Sequence, residues 1–324
     1  AGVGMLTRED IYKKAFEAKK SALKDKKTRR EMMLAAAYDN CPKLSEIDRR
    51  LAGIGASVAI KAIAGDDVSE LKKQSAALTN EKKVLLSKYG VEDIKYDCPV
   101  CSDTGYVNGK ICECVKHLAS SFVAEELAEE MPLEDSRFDN FDLKYYPDKD
   151  TAEGNPRRRM TAILKVCREY ALKFKSKDYG NLLFMGNSGL GKTHLTLAIV
   201  SAVIEKGYIP VYGAAENLFS QIEREKFSGE NKGAYDAMIK SDLLVIDDLG
   251  AEMATSFTKS ALYNLVNSRL LSGRPTIINT NLTMKEIESR YTARISSRLI
   301  GNYDAYKFIG PDVRQQRAVE KIGK

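Results

Sequence analysis

The segment Leu182–Thr193 reads Leu-Leu-Phe-Met-Gly-Asn-Ser-Gly-Leu-Gly-Lys-Thr, an apolar strand running into a G-x-x-x-x-G-K-T loop, and it constrains this chain more than any other feature. Such a loop needs a buried strand before it and a helix after it. The backbone N–H groups of Gly186, Asn187, Ser188, Gly189, Leu190 and Gly191 must turn toward one anion, and the helix that opens beside Lys192 aims the positive end of its dipole at the same point. The apolar run 195–204 supplies that helix. The anion expected is the triphosphate of ATP: Lys192 reaches the β and γ phosphates, Thr193 offers a hydroxyl to Mg²⁺, and His194 follows on the first turn beside the nucleotide.

Beyond the loop, apolar stretches at 208–212, 243–248, 275–281 and 306–309 alternate with helical ones, which predicts an α/β fold, a P-loop parallel sheet covered on both faces. Leu243–Asp248 delivers two carboxylates at the C-terminal end of a strand, where ligands of such sheets bind. Asp247 is expected to hold Mg²⁺, directly or through water, and Asp248 to orient and deprotonate an attacking water. The stretch 275–281 ends in polar residues. Asn281 is the candidate for holding the lytic water or the γ phosphate, and Asn279 is the competing choice.

The 324 residues suffice for two domains, and 30% charged with 44% hydrophobic residues describes an ordinary globular composition. No run of about 18 apolar residues exists and the N-terminus lacks an apolar signal region, so a cytoplasmic protein without a membrane partner is expected. The formal net charge of +6 favours an anionic partner without demanding one.

Residues 8–88 are lysine-rich and helical in period, with breaks at Cys41-Pro42 and Gly65-Asp66-Asp67. Leu44, Ile47, Leu51, Ile54 and Val58 form one narrow apolar seam; Leu71, Leu78 and Leu85 form another. Three helices are expected, with Thr7 and Asp66/Asp67 as N-cap candidates. Of six cysteines, four crowd into Cys98-x-x-Cys101 and Cys112-x-Cys114, joined by a hairpin-like loop with Thr104-Gly105 and Asn108-Gly109. Four thiolates so spaced suit tetrahedral Zn²⁺, with His117 in place of Cys112 or Cys114 as the rival ligand set. Cys41 and Cys167 read as packing thiols on helices. The organisation expected is a helical region over 1–94, a zinc knuckle over 95–117, a linker over 118–160 and the ATPase over 161–324. Within the linker, Phe138-Asp139-Asn140-Phe141-Asp142-Leu143 either covers the adenine or packs on the core.

Residues 186–193, Leu244–Gly250, Thr280-Asn281-Leu282, Arg294–Leu299 and Asp312-Val313-Arg314 together resemble the successive motifs of the AAA+ replicative helicase loaders of the DnaC/DnaI group, with the IstB transposition helpers as close relatives. The resemblance covers about residues 136–317. It implies that Arg298 is an arginine finger reaching a neighbouring subunit's ATP, hence self-association, and that Arg314 is a sensor arginine. It also implies a DnaB-type helicase hexamer as partner, gripped by the helical, zinc-containing N-terminal region. Loaders and initiators insert a helical element lining a channel for single-stranded DNA, which here corresponds to 219–240, with Lys226, Phe227, Lys232 and Tyr235 as DNA contacts. Two features depart from the AAA+ pattern: Asp248 stands where many members have Glu, and no C-terminal lid is expected after Arg314. The alternatives are a transposition helper that binds duplex DNA and a transposase, and a helicase adaptor whose ATPase is vestigial.

Overall fold

The computed structural model describes residues 7–228 and 233–322. Two compact units divide the chain: Phe16–Cys112 forms one, and the described residues up to Ala15 with those from Glu113 onward form the other.

The smaller unit is built on three helices, α1 (Arg8–Asn40, whose first residues belong to the other unit), α2 (Pro42–Ala64) and α3 (Ser69–Lys88). Pro42 forces the break after α1, because its ring disfavours a helical residue before it and its missing N–H is no loss in a first turn. Cys41 accordingly sits between the helices at φ −137°, not on one. The α2 end closes on Gly65, with Asp66 N–H donating to the Lys61 carbonyl at 2.9 Å. Asp67 then accepts from Ser69 N–H at 2.9 Å and starts α3. Leu44, Ala37 and Val91 form a small core with Leu34, Tyr38 and Leu85 packed against it. Strands β1 (Tyr106–Val107) and β2 (Lys110–Ile111) pair antiparallel across Asn108 and Gly109, both at positive φ, the conformation that a two-residue hairpin turn requires.

In the larger unit, α4 (Glu113–Glu130) starts within the expected knuckle and runs into the expected linker, burying Val115, Ala119 and Val123 at four-residue spacing. There follow α5 (Pro156–Lys173), β3 (Asn181–Met185), α6 (Lys192–Glu205), β4 (Pro210–Ala214), α7 (Ala215–Ser228), α8 (Ala234–Lys240) and β5 (Leu243–Leu249). The remainder comprises α9 (Ser256–Leu271), β6 (Thr276–Thr280), α10 (Met284–Arg290), α11 (Ala293–Asn302), β7 (Tyr303–Lys307) and α12 (Val313–Ile322).

The five strands pair in parallel in the order β4-β5-β6-β3-β7. Leu182, Leu183, Phe184, Leu243–Ile246, Ile277 and Ile278 are buried without alternation, as a sheet covered on both faces demands. From β3 the chain crosses to one edge at β4, returns through β5 and β6, and later crosses to β7 on the other side. The loop after β3 therefore lies at the switch point of the sheet, where such folds place ligands. The last strand begins earlier than the apolar run 306–309 suggested. Edge strand β7 exposes Asp304, Ala305 and Lys307, while the apolar Phe308 lies beyond it, buried 5.2 Å from the Phe184 ring.

At the opposite end of the sheet, Arg269 is fully buried. Its guanidinium donates to Thr276 Oγ1 at 2.9 Å, Met238 O at 2.6 Å, Ser241 Oγ at 3.0 Å and Pro275 O at 2.5 Å. The charge is held by oxygen dipoles, among them carbonyls at the C-terminal, negative end of α8. Among the described residues no helix is long and apolar enough to cross a membrane.

Candidate functional site

The loop between β3 and α6 closes on Lys192, whose side chain is buried. Its Nζ donates to Gly186 O at 2.6 Å, Asn187 O at 2.9 Å and Asn281 Oδ1 at 2.5 Å. Burial draws its pKa down, Asp248 and Asp247 oppose that, and Arg314 adds to it. Two glycines leave room that no other residue would. A Cβ on Gly189 would stand 2.1 Å from Asp312 Oδ1. A Cβ on Gly191, at φ +88°, would stand 2.7 Å from the Phe141 ring and 2.9 Å from the Tyr146 hydroxyl. Asn187 and Ser188 stay exposed and Leu190 is buried beneath the loop.

Two carboxylates face this loop from β5. Asp247 is 4% exposed and accepts four donors: Thr193 Oγ1 at 3.0 Å, Asn279 Nδ2 at 2.7 Å, the Asp248 N–H at 3.0 Å and the Tyr212 hydroxyl. Two oxygen ligands on adjacent corners of a magnesium octahedron, each at about 2.1 Å, stand about 3 Å apart. Thr193 Oγ1 and Asp247 Oδ2 have that separation, so this pair fits Mg²⁺. Asp248 follows on a bulge: Ile246 pairs with Ile278 but Leu249 with Thr280, setting two residues against one, and Asp248 takes φ +51°. Its carboxyl pKa is raised by desolvation and by Asp247, against the pull of Lys192 and Arg314.

The structure separates the two asparagines that the sequence left in competition. Asn279 lies within β6, fully buried, and joins Thr196 Oγ1 to Asp247. Asn281 lies one residue past the strand and meets Lys192. Arg314 sits on the first turn of α12, close enough for its charge to act on both Lys192 and Asp248. Val313 N–H donates to Gly189 O at 3.0 Å and seats that turn on the loop. Arg298 is engaged elsewhere, on α11, donating to the Tyr263 hydroxyl at 3.1 Å with its guanidinium 5.2 Å from the ring centre.

Residues 137–146 cover the other side of the loop. His194 Nε2 donates to Arg137 O at 2.8 Å, and its ring lies 5.4 Å from Phe141. Burial lowers the His194 pKa, against the hydrogen bond to Arg137, and so favours the neutral ring. The Tyr146 hydroxyl donates to Leu190 O at 3.0 Å. The segment thus packs on the phosphate loop itself. Nothing in the sequence pointed to Tyr146.

Of the residues expected to contact DNA, Lys226 and the exposed Phe227 lie together near the end of α7, whereas Tyr235 packs against the core and Lys232 lies outside the described residues. A residue that sequence reasoning missed joins the first two: Phe257 at the start of α9, 5.3 Å below Lys226 Nζ and 6.5 Å from the Phe227 ring. No periodicity marks Phe257, because the contact forms only when α7 and α9 meet.

The ligand atoms of Cys98, Cys101, Cys112 and Cys114 all lie within 4.8 Å of one another. Sulfurs about 2.3 Å from a tetrahedral zinc stand about 3.8 Å apart, and the Cys98–Cys112 separation is 3.8 Å. His117, on α4, is not part of the group. Asp103 braces the first pair by accepting from the N–H groups of Asp97 and Cys98, both at 2.9 Å. Cys167 is fully buried on α5.

Residues 155–298 match the model of the IstB-like ATP binding protein family. The replicative helicase loader DnaC of Escherichia coli (strain K12) is 27% identical over 162 residues, covering 46% of this chain and 64% of that protein. This chain thus spans less than two thirds of the length of that loader. The uncharacterized protein YqaM of Bacillus subtilis (strain 168) is 25% identical over 284 residues, 68% of this chain and 83% of its own. Among solved structures, the DnaC helicase loader aligns at 22% identity and TM-score 0.45, covering 53% of this chain and 98% of its own. DnaI aligns at 21% identity and TM-score 0.45, covering 56% and 92%.

Proposed function

We propose, from the match of residues 155–298 to the IstB-like ATP binding protein family and the geometry of the loop site, that this chain is an ATP-dependent loader of a replicative DNA helicase. The observation that carries the reading is the convergence of Lys192, Thr193, Asp247 and Asn281 at the switch point of the sheet, in a chain whose relatives include a protein named as a helicase loader.

In this reading the loop N–H groups and Lys192 bind the triphosphate, and residues 137–146 with His194 shape the flank of the pocket on the adenine side. Thr193 and Asp247 hold Mg²⁺, which when bound neutralises charge on the β and γ phosphates. Asp248 takes the proton of the attacking water; its raised pKa brings it closer to neutrality as a base. Asn281 fixes the water or the γ phosphate, and Arg314 meets the transferring phosphate from α12. Arg298 serves a neighbouring subunit, so hydrolysis depends on self-association.

Single-stranded DNA runs over Lys226, Phe227 and Phe257, where a cation and two aromatic faces suit backbone tracking and base stacking. Residues 1–94 dock on a DnaB-type hexamer, and Zn²⁺ on the four cysteines stiffens the knuckle over 95–117 beside them. The setting is the cytoplasm. Co-purification with a replicative helicase, with and without ATP, tests the proposal: association whose strength follows the nucleotide supports it. Failure in both conditions, alongside tight binding to a transposase, overturns it.

A further inference from the structure

We infer that Tyr212 and Asn279 are positioning residues for the Asp247 carboxylate, one on each strand flanking β5, and that together they set the affinity of the site for Mg²⁺. The inference rests on the proposed role of Asp247 as the carboxylate that holds magnesium.

A carboxylate has about four lone-pair directions in which it can accept. Around Asp247 three are taken by donors that belong to the sheet. On Oδ1 these are Asn279 Nδ2 at 2.7 Å and the Asp248 N–H at 3.0 Å; on Oδ2 it is the Tyr212 hydroxyl. The fourth direction, on Oδ2, faces Thr193 Oγ1 at 3.0 Å, the other atom suited to the ion. The carboxylate is therefore held so that one lone pair points where magnesium belongs, and turning it would break the bonds from both flanking strands at once.

The sense of each bond is fixed. The buried Thr196 hydroxyl lies 3.0 Å from Asn279 Oδ1. Exchanging the amide oxygen and nitrogen would set a carbonyl oxygen 2.7 Å from a carboxylate oxygen, two acceptors face to face, so the NH₂ group must point at Asp247. An ionised carboxylate has no proton to give, so the hydrogen bond between Tyr212 and Asp247 runs one way. The Tyr212 hydroxyl can only donate to Asp247. Partners of this kind commonly change metal affinity 10- to 100-fold when removed, although they never touch the metal.

The test is a Mg²⁺ titration of the full chain with a fluorescent ATP analogue, on Tyr212→Phe, Asn279→Ala and Thr196→Val, with Asp247→Asn as reference. The expected result is wild-type nucleotide affinity in EDTA and a Mg²⁺ midpoint raised about 10-fold or more in Tyr212→Phe and Asn279→Ala. Thr196→Val should shift it in the same direction by less. Tyr212→Phe removes a single oxygen, which keeps the test available if Asn279→Ala does not fold. A wild-type midpoint in Tyr212→Phe while Asp247→Asn is shifted overturns the inference and leaves the role of Asp247 standing. An unshifted Asp247→Asn overturns both. Equal losses with and without Mg²⁺ would mark these residues as merely structural and also overturn it.

Discussion

Lys192 Nζ and Asn281 Oδ1 lie 2.5 Å apart, which ties the loop after β3 to the first residue past β6. One group carries the charge that a triphosphate seeks, and the other can sense what that charge is bound to. Lys192→Ala should abolish ATP binding. Asn281→Ala should bind ATP within a few-fold of wild type yet turn it over about 100-fold more slowly, the scale of losing one preorganised polar contact to a transition state. Equilibrium binding and steady-state hydrolysis on the two variants separate these outcomes.

Gly191 is irreplaceable for two independent reasons, its left-handed backbone and the Phe141 ring where a Cβ would go. Gly191→Ala should cost about 1–2 kcal/mol in backbone strain alone and weaken nucleotide binding at least 10-fold by shifting the loop. Adding Phe141→Ala should recover part of the steric share, leaving the clash with the Tyr146 hydroxyl and the backbone share. Chemical denaturation of the single and double variants checks that division.

Arg269 ties together α8, α9 and the start of β6 from a fully buried position. Arg269→Ala would strand several buried oxygen acceptors, at a cost on the order of 3 kcal/mol or more. The expected outcome is a large drop in the urea midpoint, with ATP affinity retained in the fraction that stays folded, because the site lies at the other end of the sheet.

Zinc removal should act on the knuckle and spare the nucleotide site. A chelator, or Cys112→Ser, is expected to release the metal and lower the melting temperature, while ATP affinity stays within about 2-fold. Metal content by mass spectrometry and ATP binding on the same sample read out both halves.

The Asp48 carboxyl, which burial alone would push up, is drawn below its usual pKa by Lys82 and Tyr38. A carboxylate with a depressed folded pKa stabilises above its unfolded value, about 3.9, and that support is lost as pH falls through the folded value. The pair is partly exposed, so its worth is about 0.5 kcal/mol. Asp48→Asn should lower stability at pH 7 and converge on wild type at low pH, which denaturation at a series of pH values would show.

The parts of the site that follow from local chemistry were legible in the sequence. Gly186–Thr193 and the Asp-Asp end of β5 carry their meaning in residue type and spacing, and the three N-terminal helices followed from Pro42 and Gly65. The parts that depend on chain crossings were not legible. Tyr212 and Asn279 acquire a role only because β4 and β6 flank β5, an order no local pattern reveals. Phe141 stands in a segment whose sequence fits adenine cover and core packing alike, and Tyr146 carries no signal, until the chain folds back onto Leu190 and Gly191. Arg269 carries no signal in the sequence, since the apolar period of α9 does not show which polar residue finds enough oxygens to be buried. The onset of β7 was misjudged because an edge strand need not bury alternate residues, whereas the turn beyond it buries Phe308.

The bulge in β5 bears on the substitution that first set this chain apart. At φ +51° the backbone of Asp248 occupies a conformation that aspartate and asparagine enter several times more often than most side chains. A glutamate there would gain one methylene of length and give up some of that local preference. The short acid is thus matched to the kink beneath it, and lengthening it would trade backbone ease for reach.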